Sequence, residues 1–338
     1  MHDSPLIFIC PGQGAQSPGM GRAWFDAVPA ARQTFAAADE ALTFDLDART
    51  YRLSELCFDA ERALIDRTDV CQPALYTCAV ASYQGLIEQH GRLNVEAAAG
   101  LSLGEWTALH LAGVIGFIDG LKLIALRGRL MQKAAEQTAG SMVALIGADE
   151  DQAQAVCDEA AHGEVLVPSN FNAPGQIVLS GAMSACERAV DVAKSMKLNA
   201  KALQVAGAFH SPLMEPAAEG LNAALEDVQF NTPEFPVWSN VTGRPHNGAD
   251  LNSIKSRLVQ QLVSPVRWSQ CCTSMVQTLS EASNDENPSA PCWHELAPAR
   301  VLKGLFRRID RSIEVHTHDE PENLPATSED ETASHATH

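Results

Sequence analysis

One pentapeptide constrains this chain more than any other stretch: Gly100-Leu101-Ser102-Leu103-Gly104. A run of small and apolar residues from Val95 leads into it, and a helical pattern from Trp106 to Leu111 follows. The spacing is that of a G-x-S-x-G nucleophile elbow, in which a strand reverses sharply into a helix. The two glycines leave room where a side chain would collide, and the serine is held exposed at the helix N-terminus. Backbone N–H groups there lack intrahelical partners, and the helix dipole favours developing negative charge. The pattern by itself also fits an ordinary glycine-rich turn between strand and helix; the strand before and helix after favour the nucleophile.

The rest of the chain reads as α/β. Leu6–Cys10 is expected as a buried first strand ending at Pro11, with a glycine-rich loop from Gly12 to Gly21 behind it. That loop is not a Walker loop, because no Lys-Ser/Thr follows, and Pro18 interrupts the place where a dinucleotide-binding helix would begin. It can still present backbone N–H groups to an anion. A helix is expected over Asp69 to Gly91, opened by Gln72-Pro73, and another over Asp119 to Gln137. Arg127 lies beside the apolar side of the second, where spacing alone favours a snorkelling or surface arginine. From Ser141 to Ala206 the order is strand, helix, strand, strand, helix, strand, the order of a split βαβ, ferredoxin-like unit. The expected fold is a large α/β-hydrolase-like body with a parallel sheet and the elbow, formed by residues 1–140 and 207–312. The ferredoxin-like subdomain, residues 141–206, is inserted with hinges near Gly140 and Gly207.

Charge and composition narrow the function. A net charge of −18 argues against nucleic-acid binding, which requires a basic face. Seven Asp/Glu and no Lys or Arg lie between Glu314 and the C-terminus, so residues 313–338 are expected to form a disordered acidic tail. Nine cysteines without C-x-x-C spacing suit reduced thiols in a cytoplasm. The histidines lack metal-site spacing, and His316-x-His318 falls in the expected tail, so no metal is expected. No Lys or Arg precedes the short Leu6–Cys10 run, and no stretch reaches the ~18 apolar residues of a membrane span. A soluble, cytoplasmic protein with no membrane partner is expected.

A serine hydroxyl needs a base to take its proton. His210, after an expected strand and between Phe209 and the Ser211-Pro212 loop, is the best candidate; the competing reading is a satisfied, half-buried histidine.

Several motifs together carry a resemblance. They are Pro11-Gly-Gln-Gly-Ala-Gln16, Gly100-Leu-Ser-Leu-Gly-Glu105, Arg127-Gly-Arg129, Asn170-Phe-Asn-Ala-Pro-Gly-Gln176, Gly207-Ala-Phe-His210 and Pro265-Val-Arg-Trp268. In this order, over about residues 5 to 310, the chain resembles the malonyl-CoA:acyl-carrier-protein transacylase family. It is also similar to the acyltransferase domains of polyketide synthases. The resemblance implies that Ser102 is the acylated nucleophile and His210 its base and later acid. It implies an oxyanion hole from the backbone N–H groups of Gln13 and Leu103, and binding of the malonyl carboxylate by Arg127. It places the carbonyl that orients the histidine at Ser264, and makes Phe209 the residue that selects malonyl over branched donors. The implied reaction moves malonyl from malonyl-CoA to the phosphopantetheine thiol of acyl carrier protein by a ping-pong route. No cofactor takes part, and the protein is expected as a monomer serving fatty-acid or polyketide synthesis. The rivals are a serine esterase or thioesterase sharing the elbow, and a non-catalytic binding module for acyl-CoA or carrier protein.

Position 101 is Leu where many members have His, and Ala297 and Ala299 stand where the family has glycines. If either glycine position needed φ > 0, alanine would cost about 1 kcal/mol. An acidic carrier docking on an acidic enzyme needs a local basic patch, for which Arg300, Lys303, Arg307, Arg308 and Arg311 are the candidates.

Overall fold

The structure is a computed structural model and describes residues 4–282 and 290–321. Its body is built on a parallel sheet whose strands lie in the order Val315–His318, Cys292–Leu296, Leu6–Cys10, Val95–Gly100. Leu6–Cys10 is buried along its whole length. Leu6, Phe8 and Cys10 fill one core and Ile7 and Ile9 the other, as the two-residue period of a strand dictates. A parallel strand covered on both faces reads as a continuous apolar run, which is why it was legible. The elbow strand Val95–Gly100 ends beside it, and Pro236–Val237 joins its far edge through Ala98.

Two long helices, Thr68–His90 and Phe117–Gln137, pack beneath the elbow. The first starts before Gln72-Pro73 and runs through the proline, contrary to the expected opening. Proline removes one helical hydrogen bond; sixteen buried residues along this helix outweigh that loss.

The second sheet is antiparallel throughout, in the order Leu166–Ala173, Gln176–Ala182, Gly140–Ile146, Asn199–Ala202. Helices Glu150–Ala160 and Met183–Ser195 share a separate core with it, around Val143, Val156, Leu179 and Ala189. The Glu150–Ala160 helix opens on a capping box between Asp149 and Gln152. Asn170–Ala173, the start of the Asn170–Gln176 motif, is the end of the first of these strands. Its backbone is tied to the body by Phe171 N–H to Val266 O, 2.9 Å, and Val266 N–H to Ser169 O, 2.9 Å. The mouth between the two units is thereby fixed next to the elbow.

The C-terminal segment corrects the expected tail. Val315–His318 is a strand of the main sheet, paired with Cys292–Leu296, and His318 is buried. The Trp24 indole donates to His318 O at 2.8 Å, and His318 Nε2 lies 2.8 Å from His294 Nδ1. Acid-rich composition hid a four-residue strand whose backbone completes a sheet edge. Residues 322–338 lie outside the described residues.

Burial, then the neighbouring His316 and His90, pull His318 down to about 4. Its folded pKa lies below the ~6.5 of an unfolded histidine. The unfolded chain therefore binds the proton first, and stability present above pH ~6.5 is lost as pH falls toward 4, by up to about 3 kcal/mol. The melting temperature should fall over that window, and His318→Phe should flatten the fall. An unchanged pH profile in the variant would assign the effect to other groups.

Candidate active site

The elbow forms because three backbones meet there. A side chain at Gly100 would collide with the backbone of Gly104 and Glu105, and one at Gly104 with the carbonyls of Cys10 and Pro11. Gly12 sits as tightly against the Leu101 carbonyl, which brings the glycine-rich loop and Gln13 over the turn. Gly104→Ala should destabilise the fold by about 3 kcal/mol, because backbone rather than a movable side chain must give way. A variant melting within 1 °C of the parent would contradict that reading.

Ser102 occupies φ 52°, ψ −102°, and His210 φ 57°. Both are non-glycine residues in the positive-φ region, where strain is tolerated only if the surroundings over-determine it. Leu103 opens the helix Leu103–Leu111, so its N–H has no intrahelical acceptor, and the residue lines the same pocket as Gln13. That pocket, about 500 Å³, lies between body and small sheet and is lined by Ser102, Arg127, Met131, Asn172, Phe209 and His210 among others. Its size is that of a small-molecule site.

A directed chain of hydrogen bonds runs through the site. Ser102 Oγ is 2.9 Å from His210 Nε2, and His210 Nδ1 is 2.7 Å from the Gln261 carbonyl. A carbonyl only accepts, so Nδ1 carries the proton and Nε2 is free to take the one on Ser102. The orienting carbonyl is therefore that of Gln261, not Ser264. Gln261 directly follows the helix Leu251–Gln260, and the carbonyls of a final helical turn have no intrahelical donor. Burial, and next the charge of Arg127, hold His210 down to about 4, partly offset by the Gln261 carbonyl. The imidazole is thus neutral, a base, across the physiological range.

Arg127 is buried, against the surface reading of its helical spacing. Its Nη2 donates to Ser102 Oγ at 3.1 Å and to Gln261 Oε1 at 3.0 Å, and its Nη1 donates to Gln72 Oε1 at 2.5 Å. Its Nε, also buried, has no partner among the described residues. Desolvation lowers the guanidinium to about 10, opposed by the charge of Glu105, so it stays cationic. A buried guanidinium with an unpartnered N–H, set beside a hydroxyl–imidazole pair, has the charge and the planar donors that suit a small carboxylate.

The sequence did not single out Gln72, Asn240, Gln261 or His246 as site residues. The Asn240 side chain clamps the elbow, accepting from Ser102 N–H at 2.6 Å and donating to Gly100 O at 2.8 Å. No spacing signal links residues so far apart in the chain. Ala297 and Ala299 are not in the left-handed region; Arg300 is, at φ 92°, so the expected alanine strain is absent. Glu295 caps the helix that follows, accepting from the N–H groups of Arg300, Leu302 and Lys303. Of the basic candidates, Arg307, Arg308 and Arg311 are exposed, whereas Arg300 is paired with Asp319 at 3.1 Å. Among the described residues no group of three His, Cys, Asp or Glu side chains could hold a metal, and no helix is long and apolar enough to cross a membrane.

Residues 7–284 match the family model described as the acyl transferase domain. A malonyl CoA-acyl carrier protein transacylase of Escherichia coli O157:H7 is 38% identical over 325 residues, covering 96% of this chain and 99% of its own. That of Bacillus subtilis strain 168 is 33% identical over 323 residues, 95% of each. The crystal structure of malonyl-CoA:acyl carrier protein transacylase from Xanthomonas oryzae superposes with a TM-score of 0.83 at 38% identity, covering 95% of this chain and 96% of that one. A type II PKS acyl-carrier protein in complex with its malonyl-transacylase gives a TM-score of 0.83 at 35% identity, covering 94% and 96%. With the elbow, the neutral histidine and the buried arginine already in one pocket, these likenesses span nearly the whole chain, and it belongs to the malonyl CoA-acyl carrier protein transacylase family.

Proposed function

We propose that the protein transfers malonyl from malonyl-CoA to the phosphopantetheine thiol of an acyl carrier protein, through a malonyl ester on Ser102. The observation that carries this reading is the chain Arg127 Nη2–H to Ser102 Oγ to His210 Nε2. It sets a carboxylate receptor directly against a nucleophile and its base. A plain esterase has no use for such a receptor.

In the first half-reaction His210 Nε2 takes the Ser102 proton as Oγ attacks the thioester carbonyl. The backbone N–H groups of Gln13 and Leu103 stabilise the oxyanion. The carbon–sulfur bond then breaks, and the CoA sulfur takes the proton from His210 and leaves. In the second half the carrier thiol gives its proton to His210 and attacks the same carbonyl. The bond to Oγ breaks and Ser102 recovers its proton. Gln261 O holds the imidazole throughout, and the malonyl carboxylate takes the donors that Arg127 offers. Phe209, buried at the pocket wall, limits room for a branched donor. No cofactor enters these steps.

In this reading the body (1–140 and 207–318, carried past residue 312 by the Val315–His318 strand) is α/β-hydrolase-like and the insertion (141–206) is ferredoxin-like, with the pocket between them. The strand order and the separate core of the smaller unit support that division.

Incubation with malonyl-CoA should add one malonyl group to the protein, read by intact mass. The adduct should then discharge to holo acyl carrier protein far faster than to water. Discharge to water alone would make the protein a hydrolase, and no adduct would leave a binding module.

A further inference from the structure

Behind the reacting groups sits a buried acid that the proposed chemistry does not use. Glu105 is the last residue of the elbow motif and is fully buried. Its Oε2 accepts from Asn240 N–H at 2.9 Å and from Gln261 Nε2 at 2.7 Å, and its Oε1 lies 2.7 Å from His246 Nε2. Two of these three partners lead back to the reaction. Asn240 holds the turn into Ser102 through Ser102 N–H and Gly100 O. Gln261 does more: its backbone carbonyl orients His210, its Oε1 holds Arg127 Nη2, and its Nε2 also reaches Ser102 O at 3.1 Å. One residue thus fixes the base through its backbone carbonyl and Arg127 through its side chain.

We infer that Glu105, pinned by His246, is the positioning residue that holds Gln261 and Asn240, and through them His210, Arg127 and Ser102, in reacting geometry. The inference rests on the transacylase reading. Two N–H donors converge on Oε2, so any proton shared with His246 sits on the Oε1 side. His246 Nδ1 is buried with no partner among the described residues. A protonated imidazole would leave an N–H stranded there, so the arrangement is a carboxylate accepting from a neutral Nε2–H tautomer. Its negative charge also offsets Arg127, one amide away.

What matters for positioning is an acceptor oxygen at full reach. Glu105→Gln keeps an oxygen at the Oε2 position for Asn240 N–H and Gln261; its amide faces His246, and the tautomer that accepts from it carries its proton on the partnerless Nδ1, a cost in stability rather than in the reach of Oε2. Glu105→Asp keeps the charge but withdraws the carboxylate by one methylene, and a displacement of that size at a reacting geometry is worth on the order of 100-fold.

The test is single-turnover acylation by malonyl-CoA in the wild type and in Glu105→Gln, Glu105→Asp and Glu105→Ala. Active sites are counted with a fluorophosphonate, and circular dichroism checks folding. The rate per active site should stay within a few-fold of wild type in Glu105→Gln. It should fall about 100-fold in Glu105→Asp, with a rise in the KM for malonyl-CoA. Glu105→Ala should lose at least as much, and the Gln–Asp comparison decides the matter if that variant does not fold. Glu105→Asp equal to or faster than Glu105→Gln overturns the inference and leaves the transacylase reading intact. No adduct in the wild type overturns both.

Discussion

Ser102→Ala should form no malonyl-enzyme and should lose transfer activity by on the order of 10⁶-fold, the loss expected when the nucleophile of a concerted nucleophile–base pair is removed. The fold should survive. Ser102 Oγ bonds only groups that have other partners: Arg127 keeps Gln72 and Gln261, and His210 keeps the Gln261 carbonyl. Alanine is also no worse than serine at φ 52°, since both carry a Cβ. Melting should therefore shift by about 1 kcal/mol or less, the net worth of ordinary hydrogen bonds. Intact mass after malonyl-CoA, kcat with carrier protein, and thermal unfolding read the three parts separately. A variant that still takes up malonyl would move the nucleophile to another side chain.

The elbow was legible because it is a steric code. Backbone approaches at Gly100 and Gly104 exclude any Cβ, and that exclusion is written in the sequence as two glycines around a serine. The order of elements in the small sheet, strand, helix, strand, strand, helix, strand, was legible in the sequence. Partnerships made in three dimensions were not. Gln261 rather than Ser264 meets His210 because a helix ends at Gln260 and leaves that carbonyl without an intrahelical donor, which the Pro265-Val266 motif further on does not mark. Arg127 looked like a surface residue because a helical wheel shows which side faces a neighbouring helix. It does not show that Gln72 and Gln261 await a charge there. The Val315–His318 strand escaped for the opposite reason: its burial comes from the sheet edge it completes, whereas composition averages over the whole acidic segment. Glu105 stood in plain view as the end of a motif, and only its partners reveal what it holds.

Arg127→Ala should separate the two acyl donors. A malonyl carboxylate facing the empty site would be buried without its cation, a penalty of about 3–5 kcal/mol, so kcat/KM for malonyl-CoA should fall on the order of 10²–10³-fold. Acetyl-CoA brings no carboxylate and should lose far less; equal losses would make Arg127 a structural residue. The same variant should shift the pH profile. Burial first and the Arg127 charge second hold His210 down to about 4 in the free enzyme. With the cation gone, protonation becomes easier and the pKa rises toward the ordinary value of ~6.5. The acid limb of kcat/KM, which reports the free enzyme, should then move up in pH from about 4. Stability follows the same sign. A folded pKa below the unfolded one stabilises the protein above pH ~6.5 and is lost toward 4, so the variant should lose less on acidification than the parent does. Arg127→Lys keeps the charge without the planar fork. It should leave the acid limb near its parental position while malonyl selectivity falls, because an ammonium cannot meet a carboxylate through two parallel bonds and still reach Gln72 and Gln261. A lysine variant whose acid limb moves as far as that of alanine would show that geometry, not charge, sets the basicity of His210.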